Sequence, residues 1–273
     1  MKQAFDYLAE ANSLFKLLRD QPNSVLGIQT QFKSWTINDV IGHLYVFDIA
    51  ALKTLESAEA FEEYFAPIRS DLSRGLSILE IQYKYLGDLT GRALLERWQI
   101  TSKSLSEAYV VADPKQRVRW AGPEMSALTC ITARQMETWA HGQEVFDVLG
   151  VTRPAADRIR NICHLGVSTF SWTFINRKLP VPEQLPFVRL TSPSGNIWEW
   201  NDTNSNNCVS GDATAFAQVV TQVRNIADTN LVVSGDGASK WMALAQCFAG
   251  PPITPPVKGL RFAVVNNQIR ARR

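Results

Sequence analysis

Histidine is scarce in this chain, and paired cysteine is absent. There are three histidines in 273 residues, and the four cysteines, Cys130, Cys163, Cys208 and Cys247, stand far apart with no C-x-x-C pair. That spacing excludes a zinc knuckle and argues against a disulfide framework, so the thiols are expected reduced and the protein cytoplasmic. Long apolar runs are missing as well. No uninterrupted run reaches the roughly 18 residues of a membrane span, and the N-terminus alternates apolar residues with Asp6, Glu10, Lys16 and Arg19, so neither a membrane partner nor a signal peptide is expected. Charge of one sign is not in excess. The formal net charge is +2 with no Lys/Arg cluster before residue 250, which removes the counterion-release term that nucleic-acid binding needs. Only 258–273 is locally basic, through Arg261, Arg270, Arg272 and Arg273, and it reads as a solvated tail.

What is present is ordinary globular composition, 45% hydrophobic and 20% charged, over a length that favours two domains with separate cores. Phe5, Leu8, Ala11, Phe15 and Leu18 recur at helical spacing and predict a first helix ending before Pro22. Thr36 with Asp39 reads as a capping box for a second helix over 36–57, carrying Val40, Leu44, Phe47, Ala51 and Leu55. A helical region over 58–112 is expected to break near Pro67 and again near Gly87. Ser126 is a plausible N-cap for a last long helix that Gly150 stops. Four main helices without a strand signal imply a bundle over 1–150. A helix over 155–175 and the linker Leu179 to Pro186 form a connector, 151–185. From 186 to 273 the pattern changes. Phe187, Val188 and Leu190, then Ser-Pro-Ser-Gly, then Ile197-Trp-Glu-Trp predict a hairpin, followed by a helix over 211–224, a strand over 231–233 and a helix over 239–248.

Glu137 and His141 stand four apart in a predicted helix, so both leave one face about a turn from each other. Such a pair suits a metal, as carboxylate and imidazole pairs do in metal-binding bundles, and equally makes a surface ion pair. His43 and His141 both fall mid-helix among apolar residues. For His43 the alternative is a core histidine satisfied by Asp39, one turn earlier. Two imidazoles and one carboxylate from two helices leave coordination positions open, the pattern of a catalytic rather than a closed structural site.

The stretches Trp35-Thr-Ile-Asn-Asp-Val-Ile-Gly-His-Leu and Ala133-Arg-Gln-Met-Glu-Thr-Trp-Ala-His-Gly-Gln resemble the two metal-ligand segments of the mycothiol-dependent maleylpyruvate isomerase family. The resemblance is specific in those segments and loose in the second domain. Trp120-Ala-Gly-Pro, Met-Glu-Thr-Trp-Ala-His-Gly and Phe248-Ala-Gly-Pro-Pro are shared in particular with a subgroup known only as metal-binding proteins. The family implies an α+β protein, a DinB-like four-helix bundle followed by a smaller α/β domain resembling sterol-carrier proteins. It also implies a divalent metal, zinc as a rule, held by His43, Glu137 and His141. The region from Glu56 to Gly87 reads as an elaboration on the simple bundle.

On this resemblance the protein is a metal-dependent isomerase or thiol transferase acting on a small, anionic substrate in a cleft between the domains. A low-molecular-weight thiol is the implied second cofactor, and a monomer or homodimer the expected state. Arg224 matches a carboxylate-binding arginine of the family, although as the last residue of its predicted helix it also has a dipole reason to be there. His164 is a candidate proton carrier or a merely packed histidine. Arg134, three residues before Glu137, either holds Glu137 or an anionic ligand, or makes a structural ion pair. Trp35 and Trp139 read as core, and Cys130 as a small buried residue rather than a nucleophile. The rival readings are a metallohydrolase and a non-catalytic protein in which the metal staples the bundle while the second domain holds an apolar or acyl ligand.

Overall fold

The computed structural model describes residues 1–264, and Arg270, Arg272 and Arg273 of the basic tail lie outside the described residues. The chain divides into two compact units, Met1–Leu149 and a second beginning at Gly150. The architecture is α+β. Among the described residues no helix is long and apolar enough to cross a membrane.

In the first unit four long helices pair off: α1 (Lys2–Leu18) and α2 (Ile37–Glu56) each pack against both α5 (Gly91–Val111) and α6 (Ala127–Val148). Two shorter helices, α3 (Ala58–Ser73) and α4 (Ile78–Leu86), pack on α2 and form the elaboration. The buried stripe of α1 is Ala4, Tyr7, Ala11, Leu14 and Leu18, whereas Phe5 is 59% exposed. The helix is therefore rotated from the phase expected from Phe5 and Leu8, and the rotation brings the Tyr7 hydroxyl to Asp48, 2.6 Å away. Thr36 and Asp39 close the expected capping box, with N–H to oxygen distances of 2.9 and 3.1 Å, and so fix where α2 starts.

The expected break at Pro67 does not occur. Pro67 lies inside α3 on the exposed side, where water can take the carbonyl it leaves unbonded. The chain breaks instead at Gly75, whose φ of 88° permits the backbone bond from Leu76 N–H to Asp71 O that ends a helix. Gly87 ends α4 as expected. A small ladder, β1 (Arg117–Val118) with β2 (Met125–Ser126), precedes α6; strands of two residues carry no alternation to read. Ser126 caps α6, accepting the Thr129 N–H at 3.1 Å.

In the second unit the expected single helix over 155–175 is a 3₁₀ turn (Asp157–Ile159) followed by α7 (Arg160–Ser168) and α8 (Phe170–Ile175). They break at Thr169, whose hydroxyl donates to the Leu165 carbonyl at 2.7 Å. A four-stranded sheet in the order β4-β3-β5-β6 contains β3 (Phe187–Thr191), β4 (Ile197–Trp200), β5 (Cys208–Asp212) and β6 (Val232–Ser234). β3 pairs antiparallel with β4, as the hairpin reading required, and parallel with β5. β5 replaces the start of the expected helix over 211–224. The helix there, α9, is only Ala213–Val220, with Asp212 accepting the Ala215 N–H at 2.8 Å. α10 is Asp236–Leu244, earlier than expected. α7 approaches α9 at Gly166, where a Cβ would meet the Val220 side chain at 2.8 Å.

Candidate metal centre

His43 stands on α2, and Glu137 and His141 stand one turn apart on α6, the helix that packs beside it. One nitrogen or oxygen from each lies within 4.8 Å of the others. The Nε2 atoms of His43 and His141 are each 3.5 Å from the same carboxylate oxygen, Glu137 Oε2. That is longer than the roughly 2.7–3.2 Å of a good N–H···O bond. It is close to the separation, about 3.4 Å, of two ligands that each sit about 2.0–2.1 Å from one tetrahedral zinc ion. His43 Nδ1 is buried and has no hydrogen-bond partner among the described residues, which leaves Nε2 as its working nitrogen. On donor chemistry and spacing the three residues fit a divalent ion. The Glu137 side chain is 25% exposed and those of His43 and His141 are 12% and 10%, so the triad opens to solvent on the carboxylate side.

Aromatic rings wall the triad. Trp35 lies 5.4 Å from His43 and stacks 6.1 Å from His141, Phe32 meets His141 edge-on at 5.0 Å, and Phe47 tilts against His43 at 4.7 Å. Behind His141, Glu144 Oε2 is 3.4 Å from Nδ1. This carboxylate, missed in the sequence, follows His141 by three residues on the same helix; the i, i+3 spacing was the available signal.

Burial opposes charge on all three residues, and their mutual contacts decide the outcome. Burial lowers the pKa of His43 to about 4. For His141 burial acts downward too, but Glu137 and Glu144 outweigh it and raise the group to about 9. Burial raises Glu137, yet the two imidazoles that face its carboxylate bring it well below the usual carboxylate range. Between these limits the metal-free triad carries one proton, on His141, and an entering cation must displace it. Calorimetry in buffers of different ionisation heat is therefore expected to show about one proton released per ion at pH 7. Release should vanish as pH rises through about 9, and affinity should weaken about tenfold per unit as pH falls below it. Binding at pH 7 without proton release would contradict this.

Below the triad lies a closed polar hub. Asp48 on α2 accepts from Tyr7 on α1 (2.6 Å), Trp98 Nε1 on α5 (2.9 Å) and Arg134 Nε on α6 (2.9 Å), so one carboxylate ties all four long helices. Arg134 Nη2 also donates to the Leu44 carbonyl, next to His43, at 3.3 Å. Arg134 is 2% exposed and Asp48 fully buried. Of the two readings of Arg134, the geometry draws the ion pair: a guanidinium bound to Asp48 in the core does not face an entering ligand.

The other expected site residues lie in the second unit or outside the triad. His164, on α7, is exposed, and its Nδ1 accepts the Trp200 Nε1–H at 3.3 Å. Arg224 does not end a helix. α9 stops at Val220, Gln222 takes a φ of 58°, and Arg224 follows in the turn with Nη1 donating to the Val223 carbonyl at 3.0 Å, so the helix-dipole explanation falls away. Cys130 is buried, accepts the Tyr109 hydroxyl at 3.2 Å and, mainly through burial, has its thiol pKa raised to about 11, the opposite of a reactive cysteine. Trp139 is core.

The family model for the mycothiol maleylpyruvate isomerase N-terminal domain matches residues 7–146. Two uncharacterised proteins of Mycobacterium tuberculosis, from strains CDC 1551 / Oshkosh and ATCC 25618 / H37Rv, are each 35% identical over 247 residues, covering 90% of this chain and 95% of their own length. Among solved structures, the mycothiol-dependent maleylpyruvate isomerase and a histidine-to-alanine variant of it share the fold. Their TM-scores are 0.52 and 0.53 at 16% identity, with 80% of this chain and 87% of theirs covered.

Proposed function

The chain belongs to the mycothiol maleylpyruvate isomerase family, and from that membership we propose that it is a zinc-dependent enzyme using a low-molecular-weight thiol to isomerise, or transfer sulfur to, a small anionic substrate. The observation that carries the reading is the ligand set. Among the described residues the cluster has three members, two imidazoles and one carboxylate, on the partly solvent-open side of a bundle. A divalent ion held by His43, Glu137 and His141 would supply the acidity that ionises a thiol near neutral pH.

The chain's own residues do the rest. Glu144 faces His141 Nδ1 and so directs the Nε2 lone pair toward Glu137. Phe32, Trp35 and Phe47 pack against the two imidazoles and keep water from those faces, which strengthens the charge interactions of the rings. In the second unit we assign to Arg224 the anchoring of a substrate carboxylate. His164 would act as a proton carrier through Nε2, because its Nδ1 accepts from Trp200.

The solvent-open carboxylate favours this reading over a metal that only staples the bundle. Substituting cobalt(II) for the resident ion and titrating a small thiol tests it. A new near-ultraviolet sulfur-to-metal absorption is expected on addition. A spectrum indifferent to thiols and typical of four protein ligands would overturn it in favour of the staple.

A further inference from the structure

We propose that the cleft between α3 and the loop joining β1 to β2 binds a free aromatic α-amino acid, with Arg119 receiving its carboxylate, Glu124 its ammonium and Trp120 its ring. The inference goes beyond the metal-site reading and does not depend on it. The Thr54 hydroxyl donates to the Arg119 carbonyl, and Thr54 follows His43 by eleven residues on α2, so the cleft lies about 16 Å along that helix from the triad.

The loop is fixed at its base. Arg117 pairs with Ser126 and Val118 with Met125 in the ladder, and the Arg117 guanidinium donates to the Glu124 carbonyl. Trp120, half-buried, stacks on Phe61 of α3 with ring centres 6.0 Å apart and planes 25° from parallel. Also on α3, Glu62 accepts both arms of the Arg69 fork, at 2.9 and 3.2 Å. These residues line a space of about 450 Å³. A Cβ at Gly122 would meet nothing within 4 Å, so no neighbouring side chain fills that part of it.

Three polar groups around the space are unused. The Arg119 guanidinium is 3.7 Å from Glu62 Oε1 and 3.9 Å from Glu124 Oε1, too far for N–H···O bonds of roughly 2.7–3.2 Å. The Glu124 carboxylate and the Trp120 indole N–H make no hydrogen bond among the described residues. The charges are mixed, Arg69 and Arg119 against Glu62 and Glu124, so a bare anion meets two carboxylates and a bare cation two guanidinium groups. A zwitterion meets neither penalty. An α-amino acid carries its carboxylate and ammonium on one carbon, which suits the unclosed Arg119–Glu124 pair, and an aromatic side chain gains most from the Trp120 ring.

Calorimetric titration of the full-length protein with L-phenylalanine tests the assignment. The comparisons are N-acetyl-L-phenylalanine, which lacks the ammonium, and L-phenylalaninamide, which lacks the carboxylate. L-Phenylalanine is expected to bind about tenfold more tightly than either. Arg119→Gln should weaken L-phenylalanine about tenfold and leave the amide within about twofold, whereas Glu124→Gln should weaken L-phenylalanine about tenfold and leave the N-acetyl compound within about twofold. Repeating the titration with zinc loaded and with zinc stripped separates this cleft from the triad, and equal affinity is expected in the two. Binding that disappears with the zinc belongs to the triad and overturns the cleft assignment while the metal-site reading stands. L-Phenylalanine that binds no more tightly than its two derivatives, or that is indifferent to both substitutions, overturns it as well.

Discussion

Glu137→Ala and His141→Ala are each expected to lower zinc affinity by roughly a hundredfold to a thousandfold, about 3 to 4 kcal/mol, while leaving the metal-free bundle folded. The triad is small, with three donors on two helices, so removing one leaves two, too few to hold a zinc ion against water. Glu137 is the more severe of the two losses, because one of its oxygens faces both imidazoles and its negative charge offsets that of the cation. Glu144→Gln should give a smaller effect, roughly tenfold to a hundredfold, since it disturbs only the partner of His141 Nδ1. Competition with a chelating dye of known affinity, with circular dichroism on the same samples, checks the ranking. Equal zinc affinity in wild type and Glu137→Ala would contradict the assignment.

The second large effect is on stability. Asp48→Ala leaves the Arg134 guanidinium, the Tyr7 hydroxyl and the Trp98 N–H without their shared acceptor in the bundle core. Breaking a buried pair from one side costs about 3 to 5 kcal/mol, a large part of the roughly 5 to 15 kcal/mol that holds a domain folded. The double substitution Asp48→Leu with Arg134→Leu removes both charges and should recover most of that loss. Its zinc affinity should nevertheless fall, because Arg134 bonds the Leu44 carbonyl beside His43 and ties α6 to α2. Urea unfolding of the metal-free proteins measures the first effect and dye competition the second. If Asp48→Ala unfolds at the wild-type urea midpoint, the hub is not what holds the four helices.

The parts of this protein that were legible in sequence are those set by local spacing. Glu137 and His141 share a helix and their separation is fixed by its pitch; Thr36 and Asp39 close a cap within one turn; the hairpin from Phe187 to Trp200 is announced by its Ser-Pro-Ser-Gly turn. What was not legible depends on partners far away in the chain. The rotation of α1 that buries Tyr7 and exposes Phe5 follows from Asp48, 41 residues on, and periodicity alone permits either face. Sequence alone does not decide between the two roles of Arg134, because its ion-pair partner lies 86 residues earlier. The last two residues of β5, Gly211 and Asp212, read in sequence as the start of a helix because the segment gives no alternation, and the strand character of β5 comes from pairing with β3 and β6. The reading of Arg224 as a helix end failed for a local reason: α9 terminates early through a left-handed Gln222, a residue that does not advertise that conformation.

The most direct measurement is an anomalous difference map from crystals of the zinc-loaded protein, recorded on both sides of the zinc absorption edge. One strong peak per chain is expected, within bonding distance of His43 Nε2, a Glu137 carboxylate oxygen and His141 Nε2, with density for at least one further non-protein ligand. A fully zinc-loaded crystal whose peak lies elsewhere, or whose ion at the triad is closed by a fourth side chain, would contradict the catalytic metal site.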